Sequence, residues 1–238
     1  MPNTLTAEQL EELRGFSSPT LSNAIELFGV RPRNTGFMGP EIRCVLPLER
    51  PMIGYACTGC IRAVAPADPT IPSREAYWDW TQTIPGPRIA VLQDLDAPKA
   101  VGSFWGEVNA TVHKALGFAG TVTDGGVRDL DEVAAMGFAY FAQAVVVSHA
   151  YIHMPEFGKA VQVGGVTVRP GDLIHADKHG VLVIPWEVAP RLAEMARAFE
   201  AVEQEFIQSV RRPGFTLERL KADWAAFGKK RGALTPQK

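Results

Sequence analysis

Arg128 and Asp129 are adjacent, and twenty residues separate them from a second acid, Glu107. These residue types can handle a small, oxygen-rich anion. A guanidinium grips a carboxylate through a fixed fork of N–H donors, and a carboxylate takes a hard divalent cation. Gly102-Ser-Phe-Trp-Gly106 leads into one predicted helix, and residues 124–129, DGGVRD, lead into another. Free N–H groups at a helix start favour anions, and glycine lets a ligand approach the backbone closely. A 2-oxo acid offers a carboxylate and a carbonyl oxygen side by side. Arg128 and the N–H groups can hold the carboxylate, while a metal on Asp129 can polarise the carbonyl and stabilise an enolate. Retro-aldol cleavage and β-decarboxylation pose this charge problem. The same residues admit a plainer reading, because Asp129 is a good helix N-cap without any metal and Arg128 alone can be a surface ion pair. Spacing does not separate the two.

The surrounding pattern says what would position these residues. Residues 88–95, RIAVLQDL, read as a strand covered on both faces. A loop at 96–106 precedes a helix over 107–116, closed by Gly117. Residues 120–123 read as a short strand, 124–126 as a turn, 129–136 as a helix closed by Gly137, and 138–148 as strand again. A β-α-β-α-β run predicts parallel strands, with both loops at the carboxyl edge of the sheet, where ligands bind. Residues 161–185 alternate short apolar runs with Gly-Gly, Pro-Gly-Asp and Lys-His-Gly, which reads as antiparallel β. Upstream, helices are expected at 7–14 and 17–28, irregular chain at 30–50 and a strand at 54–65. A proline-rich loop follows at 65–73, then a capped helix carrying Trp78 and Trp80. Two residues apart, they cannot share a helix face, so one is expected to face solvent or an interface. From residue 187 the chain is helical, with an apolar stripe through Val188, Leu192, Met195, Phe199, Val202 and Phe206. A second helix is expected at 216–227, and a basic, frayed tail from Gly228.

Composition narrows the function classes. A net charge of −2 over 238 residues, with no basic stripe, points away from nucleic-acid binding. No apolar run approaches the ~20 residues of a membrane span, and the first residues lack a signal-peptide pattern, so a cytoplasmic protein is expected. Three cysteines, one pair of them as Cys57-Thr-Gly-Cys60 inside a strand, suit neither a disulfide scaffold nor zinc; both are expected to be buried and inert. His149 and His153 follow the strand after the Arg-Asp helix and can line the crevice or simply pack. His175 and His179 read as structural, His113 as exposed, and Asp172 and Asp177 as turn formers.

Residues 117–129, GFAGTVTDGGVRD, together with the acid twenty residues before Arg-Asp, resemble the signature of the RraA-like family. That family includes metal-dependent 4-hydroxy-4-methyl-2-oxoglutarate/4-carboxy-4-hydroxy-2-oxoadipate aldolases and ribonuclease E inhibitor proteins. Residues 164–185 match as well, and 54–58 more weakly, so the resemblance spans most of 18–210. The family usually has Asp where this chain has Glu107. The insert at 65–87 does not follow the family core.

The resemblance implies an α/β fold, a layered α/β/β sandwich of the swivelling type. One domain over 1–238 is expected, with its core at about 18–186 and a helical extension at 187–238. It further implies that Asp129 ligates Mg²⁺ or Mn²⁺, that Arg128 binds substrate and stabilises the enolate, and that Gly106, Glu107, Val108 and Asn109 hold the oxo-acid oxygens. Glu107 would order water at the metal. Glu205, or else Glu203, would come from a neighbouring subunit of a trimer or hexamer. The implied function is a lyase acting on a small 2-oxo acid. The alternatives are a non-catalytic regulator of ribonuclease E or another partner, and a lyase or hydratase for a sugar acid.

Overall fold

The computed structural model describes residues 4–236. Two capped helices begin the chain. α1 (Ala7–Arg14) starts in a capping box between Thr6 and Gln9. α2 (Ser18–Phe28) is capped by the Ser17 hydroxyl and stopped by Gly29 at φ 63°. β1 (Arg43–Cys44) is a two-residue strand in otherwise irregular chain, and β2 (Met52–Arg62) is long and almost wholly buried. α3 (Arg74–Thr81), β3 (Arg88–Asp94), β4 (Ser103–Trp105), α4 (Glu107–Ala115), β5 (Phe118–Val127), α5 (Leu130–Ala135) and β6 (Ala139–Val145) make up the middle. β7 (His153–Phe157), β8 (Val161–Val163), β9 (Val166–Val168), β10 (Leu173–Asp177) and β11 (Gly180–Ile184) follow, then α6 (Ala189–Arg211) and α7 (Leu217–Ala233).

β2, β3, β5 and β6 are parallel neighbours, as the alternating pattern predicts. The sheet runs β1-β6-β5-β3-β2-β10-β11, with β4 paired to β5 and β7 to β2. β10 and β11 are antiparallel, and β8 with β9 forms a separate antiparallel pair. The result is the layered α/β/β arrangement. α1, α2 and α6 cover the β2–β10–β11 end around Leu21, Ile53 and Leu192. The β8–β9 pair covers one face through Val161, Val163 and Val168, and α3, α4 and α5 cover the other around Leu92, Trp105 and Val133. Cys57 and Cys60 fall in clusters on opposite faces, and both are free thiols. Burial pushes Cys57 up to about 12 and Cys60 up to about 11, so both stay protonated and unreactive. Among the described residues no helix is long and apolar enough to cross a membrane.

Three local expectations are corrected: the turn at 124–126, the exposure of His113 and the frayed tail. Residues 124–126 are not a turn but the interior of β5. A Cβ on Gly126 would lie 2.6 Å from the Val146 side chain and one on Gly125 3.1 Å from Ile61, so these glycines serve close packing. Trp78 and Trp80 are both half-buried at the edge of the third cluster, and Tyr77, just before them, is the buried residue. His113 is fully buried rather than exposed. The basic tail is helical to Ala233, running through Gly228 and Gly232 and ending before Pro236. Arg231 pairs with Glu26 at 3.2 Å and lies over the Phe199 ring.

The apolar stripe of α6 is divided between two partners. Leu192, Ala196 and Phe199 are buried against the body of the protein, while Phe206 meets Trp224 and Phe227 of α7 at 5.4 and 5.2 Å. Leu192 is 0% exposed at the centre of the first cluster. Leu192→Ala is therefore expected to lower the unfolding free energy by about 2–5 kcal/mol in urea titration, without changing the shape of the far-ultraviolet circular dichroism spectrum.

Candidate functional site

β4 and β5 end together. Trp105 is in register with Val127, and the Arg128 N–H donates to the Trp105 carbonyl at 3.2 Å. This pairing brings Gly106, which opens α4, against Arg128-Asp129, which opens α5. A Cβ on Gly106 would stand 2.5 Å from Asp129 Oδ2 and 3.2 Å from Arg128 Nε, so the contact requires glycine for space. The Ser103 hydroxyl ties the two strands, donating to the Gly126 carbonyl at 2.8 Å.

Asp129 does not cap its own helix. It occupies the N-cap position of α5 in the left-handed region, φ 56° and ψ 51°, and makes no cap bond there. Its Oδ2 instead accepts the Glu107 N–H, the first of α4, at 2.9 Å. The N-cap reading is thus wrong for α5; the carboxylate reaches across to the other helix. The next N–H groups of α4, on Val108 and Asn109, have no acceptor among the described residues, and both residues line a cavity of about 520 Å³.

Gly106, Arg128 and Asp129 line the same cavity. Arg128 Nε lies 3.9 Å from Asp129 Oδ2, and both side chains are about one-third exposed. Asp129 is the one carboxylate on the wall among the described residues. No group of three or more His, Cys, Asp or Glu side chains suited to a metal occurs among the described residues. Any cation held here would therefore take one carboxylate and fill its remaining positions with water and substrate, the habit of Mg²⁺ rather than of a structural zinc. Asp129 Oδ1 has no protein donor among the described residues, which suits that role.

Not every expected residue joins the cavity. Glu107 opens α4, but its side chain is exposed and does not line the wall. Glu205 sits on α6, ion-paired to Lys230 of α7, beside a small groove that includes Phe206 and Phe227. Glu203 lies on the same helix, half-buried, and burial raises its carboxyl above the usual range. Within one chain neither belongs to the Arg128 cavity.

Three further residues stand on the wall: Arg74 and Tyr151, which carried no sequence signal, and His149, which was expected either to line the crevice or to pack. Arg74, from the insert, donates to Asn109 Oδ1 at 3.3 Å and lies over the Phe104 ring at 5.9 Å. His149 stands on the opposite loop, where Ala150 has φ 47°. That loop is pinned because Ser103 N–H donates to the Ser148 carbonyl and Tyr151 N–H to the Ala63 carbonyl. Tyr151 itself completes this wall. His153 falls in an adjoining, smaller cavity.

With this geometry in view, the RraA-like family model, aldolase/RraA, matches residues 19–183. The chain belongs to that family. An uncharacterized protein of Methanocaldococcus jannaschii is 28% identical over 206 residues, 84% of this chain and 88% of that one. A Halalkalibacterium halodurans protein, whose name carries a provisional assignment as a 4-hydroxy-4-methyl-2-oxoglutarate aldolase, is 30% identical over 121 residues. That alignment covers 50% of this chain and 56% of the relative, so the family resemblance reaches only about half the length of that aldolase-named protein. Among solved structures, the Streptomyces coelicolor RraAS2 protein, described as an unusual member of the RNase ES inhibitor family, superposes with TM-score 0.67 at 23% identity. It covers 88% of this chain and 100% of that one, and shows the shared fold.

Behind the cavity, α4 is anchored by His113. The ring packs 4.7 Å from Trp105, 5.0 Å from Phe118 and 5.7 Å from Tyr77, with Nδ1 2.7 Å from the Asn109 carbonyl oxygen. Burial lowers His113 to about 4, and burial lowers His175 likewise to about 4. A histidine whose folded pKa is depressed binds fewer protons folded than unfolded between that value and the ordinary 6.5. Stability therefore falls as pH drops through this window. Unfolding free energy is expected to decline from pH 7 to pH 4, and His113→Phe, which suits the aromatic surroundings, should remove roughly half of that decline. An unchanged slope in the variant would refute the assignment to His113.

Proposed function

We propose that this chain is a divalent-metal-dependent lyase for a small 2-oxo acid, cleaving it by retro-aldol reaction with release of pyruvate or decarboxylating oxaloacetate. The observation that carries the reading is convergence. Arg128, Asp129, Val108 and Asn109 all line one cavity, and the N–H groups of Val108 and Asn109 have no acceptor among the described residues. Aldolase names among relatives support it.

In this reading the α4 N-terminus, from Gly106 to Asn109, holds the substrate carboxylate, and Arg128 faces the oxygen on C2. Asp129 would hold Mg²⁺ or Mn²⁺, which when bound supplies Lewis acidity toward the 2-oxo group. As the C3–C4 bond breaks, its electron pair moves into C2–C3 and negative charge grows on the C2 oxygen opposite Arg128. A fixed guanidinium there stabilises the transition state more than the neutral ground state. The proton of the departing carbon's hydroxyl goes to a base, and C3 takes up a proton to give pyruvate. Glu107, exposed at the mouth, would order water beside Asp129. Glu205, or its neighbour Glu203, would reach in from an adjacent subunit of a trimer or hexamer, and Glu205 would then have to exchange or share its Lys230 partner.

Purified protein is expected to release pyruvate, read through lactate dehydrogenase, from oxaloacetate and 4-hydroxy-4-methyl-2-oxoglutarate with Mg²⁺ and not with EDTA. Asp129→Ala should abolish release while leaving the circular dichroism spectrum intact. A folded, Mg²⁺-supplemented protein that releases none from either substrate would sink the reading and favour a binding role or a different acid. Gly106→Ala is the finer test. Its methyl group would displace the Asp129 carboxylate from the Glu107 N–H, so kcat/KM should fall about 100-fold, the scale of a misplacement near 1 Å, in a protein that still folds.

A further inference from the structure

A second cavity of about 90 Å³ adjoins the first and shares Arg74, Phe104, Asn109 and Ile152 with it. Its remaining wall is mostly apolar, with Ile71 and Trp78 from the insert and Met154 and Phe157 from β7. Among the described residues no carboxylate lines it. The Arg74 charge is held at the seam by Asn109 and the Phe104 face. His153 Nδ1 lies 2.8 Å from the Tyr151 carbonyl oxygen and is engaged there. The Ser73 hydroxyl is taken up capping α3, and the Tyr77 hydroxyl, buried without a partner among the described residues, is the polar group left on an otherwise mostly apolar wall. We propose that the annex is a subsite for a branched aliphatic substituent of the 2-oxo acid, with Ile71 setting its depth.

The proposal rests on the proposed reading in which the α4–Arg128 end takes the carboxylate, since the annex opens beside that end at Arg74 and Asn109. Size fixes the occupant. A dry cavity of roughly 150 Å³ accepts benzene, and this one is smaller, so an isobutyl-sized group fits where a phenyl ring does not. Trp78 and Ile71 hang on a loop and a short helix rather than on the paired strand ends, so the annex would set specificity without moving the groups that hold the carboxylate.

Binding decides it without turnover. The full chain, with Mg²⁺ present, is titrated calorimetrically with pyruvate, 4-methyl-2-oxopentanoate and phenylpyruvate. Burying the isobutyl group is expected to make 4-methyl-2-oxopentanoate bind about tenfold or more tightly than pyruvate, with phenylpyruvate no better than pyruvate. Ile71→Phe should erase the aliphatic advantage and leave pyruvate affinity unchanged, and Ile71→Ala should extend the advantage to phenylpyruvate. The Ile71 backbone turn, its N–H donating to the Asp68 carbonyl, does not depend on the side chain. Equal affinities for the two aliphatic acids, or a preference untouched by both substitutions, would overturn the subsite while leaving the carboxylate end standing. Failure of all three acids to bind would overturn both together.

Discussion

The hydrogen bond from the Glu107 N–H to Asp129 Oδ2 depends on more of the fold than any other contact at the site. It spans two helix starts that are adjacent only because β4 and β5 run parallel and stop at the same level. It needs glycine at 106, since a Cβ would occupy the space of the carboxylate oxygen. It also needs Asp129 in the left-handed region, a conformation that costs most residues of order 1 kcal/mol and that Asp adopts more readily than others. With that backbone turn, the carboxylate leaves its own helix and meets the next one. One oxygen is thereby fixed, and the other has no protein donor among the described residues.

The rest of the core keeps those strand ends in place. Asp94, Asp96 and Asp124 are all nearly buried just below the site, where isolated charge is costly. Backbone donors meet them. Asp124 accepts the Asp94 N–H at 2.6 Å, Asp94 accepts the Asp96 and Ala100 N–H groups, and Asp96 accepts that of Val64. Lys99 completes the set on Asp124. These acids fasten the loop after β3 to β2 and β5, a loop-ordering task, and leave the reacting cavity to Asp129.

Much of this was legible in the sequence. The apolar run at 88–95 and the stop glycines 117 and 137 gave the order of strands and helices, because period and breakers are local properties. The adjacency of Gly106 and Arg128-Asp129 was readable as two loops at one sheet edge. The carboxylate's actual bond was not, since a good N-cap residue normally serves its own helix. The DGG stretch read as a turn because glycine marks turns locally, whereas here it answers a packing demand from Val146 and Ile61 that only the fold reveals. His113 misled for the same reason: a lone histidine on a helix has no pattern that announces an aromatic cage assembled from α3, β4 and β5. Arg74 lies in an insert with no periodicity and reaches the cavity through tertiary placement alone.

The separation between strand-borne and loop-borne residues bears on what family membership can convey. Gly106, Arg128 and Asp129 follow directly from paired strand ends, so any chain with this sheet and these residues holds them in the same relation. The family match, residues 19–183, spans this machinery and the segment carrying Arg74 alike. Arg74, Ile71 and Trp78 hang on a loop and a short helix whose position is set by Tyr77 packing against Trp80, Phe157 and His113. That packing ties the insert to His113, and His113 to the helix whose N-terminus faces the cavity. A change in the insert can thus alter which acid fits without moving the groups that would act on it, whereas a change beneath α4 would disturb both.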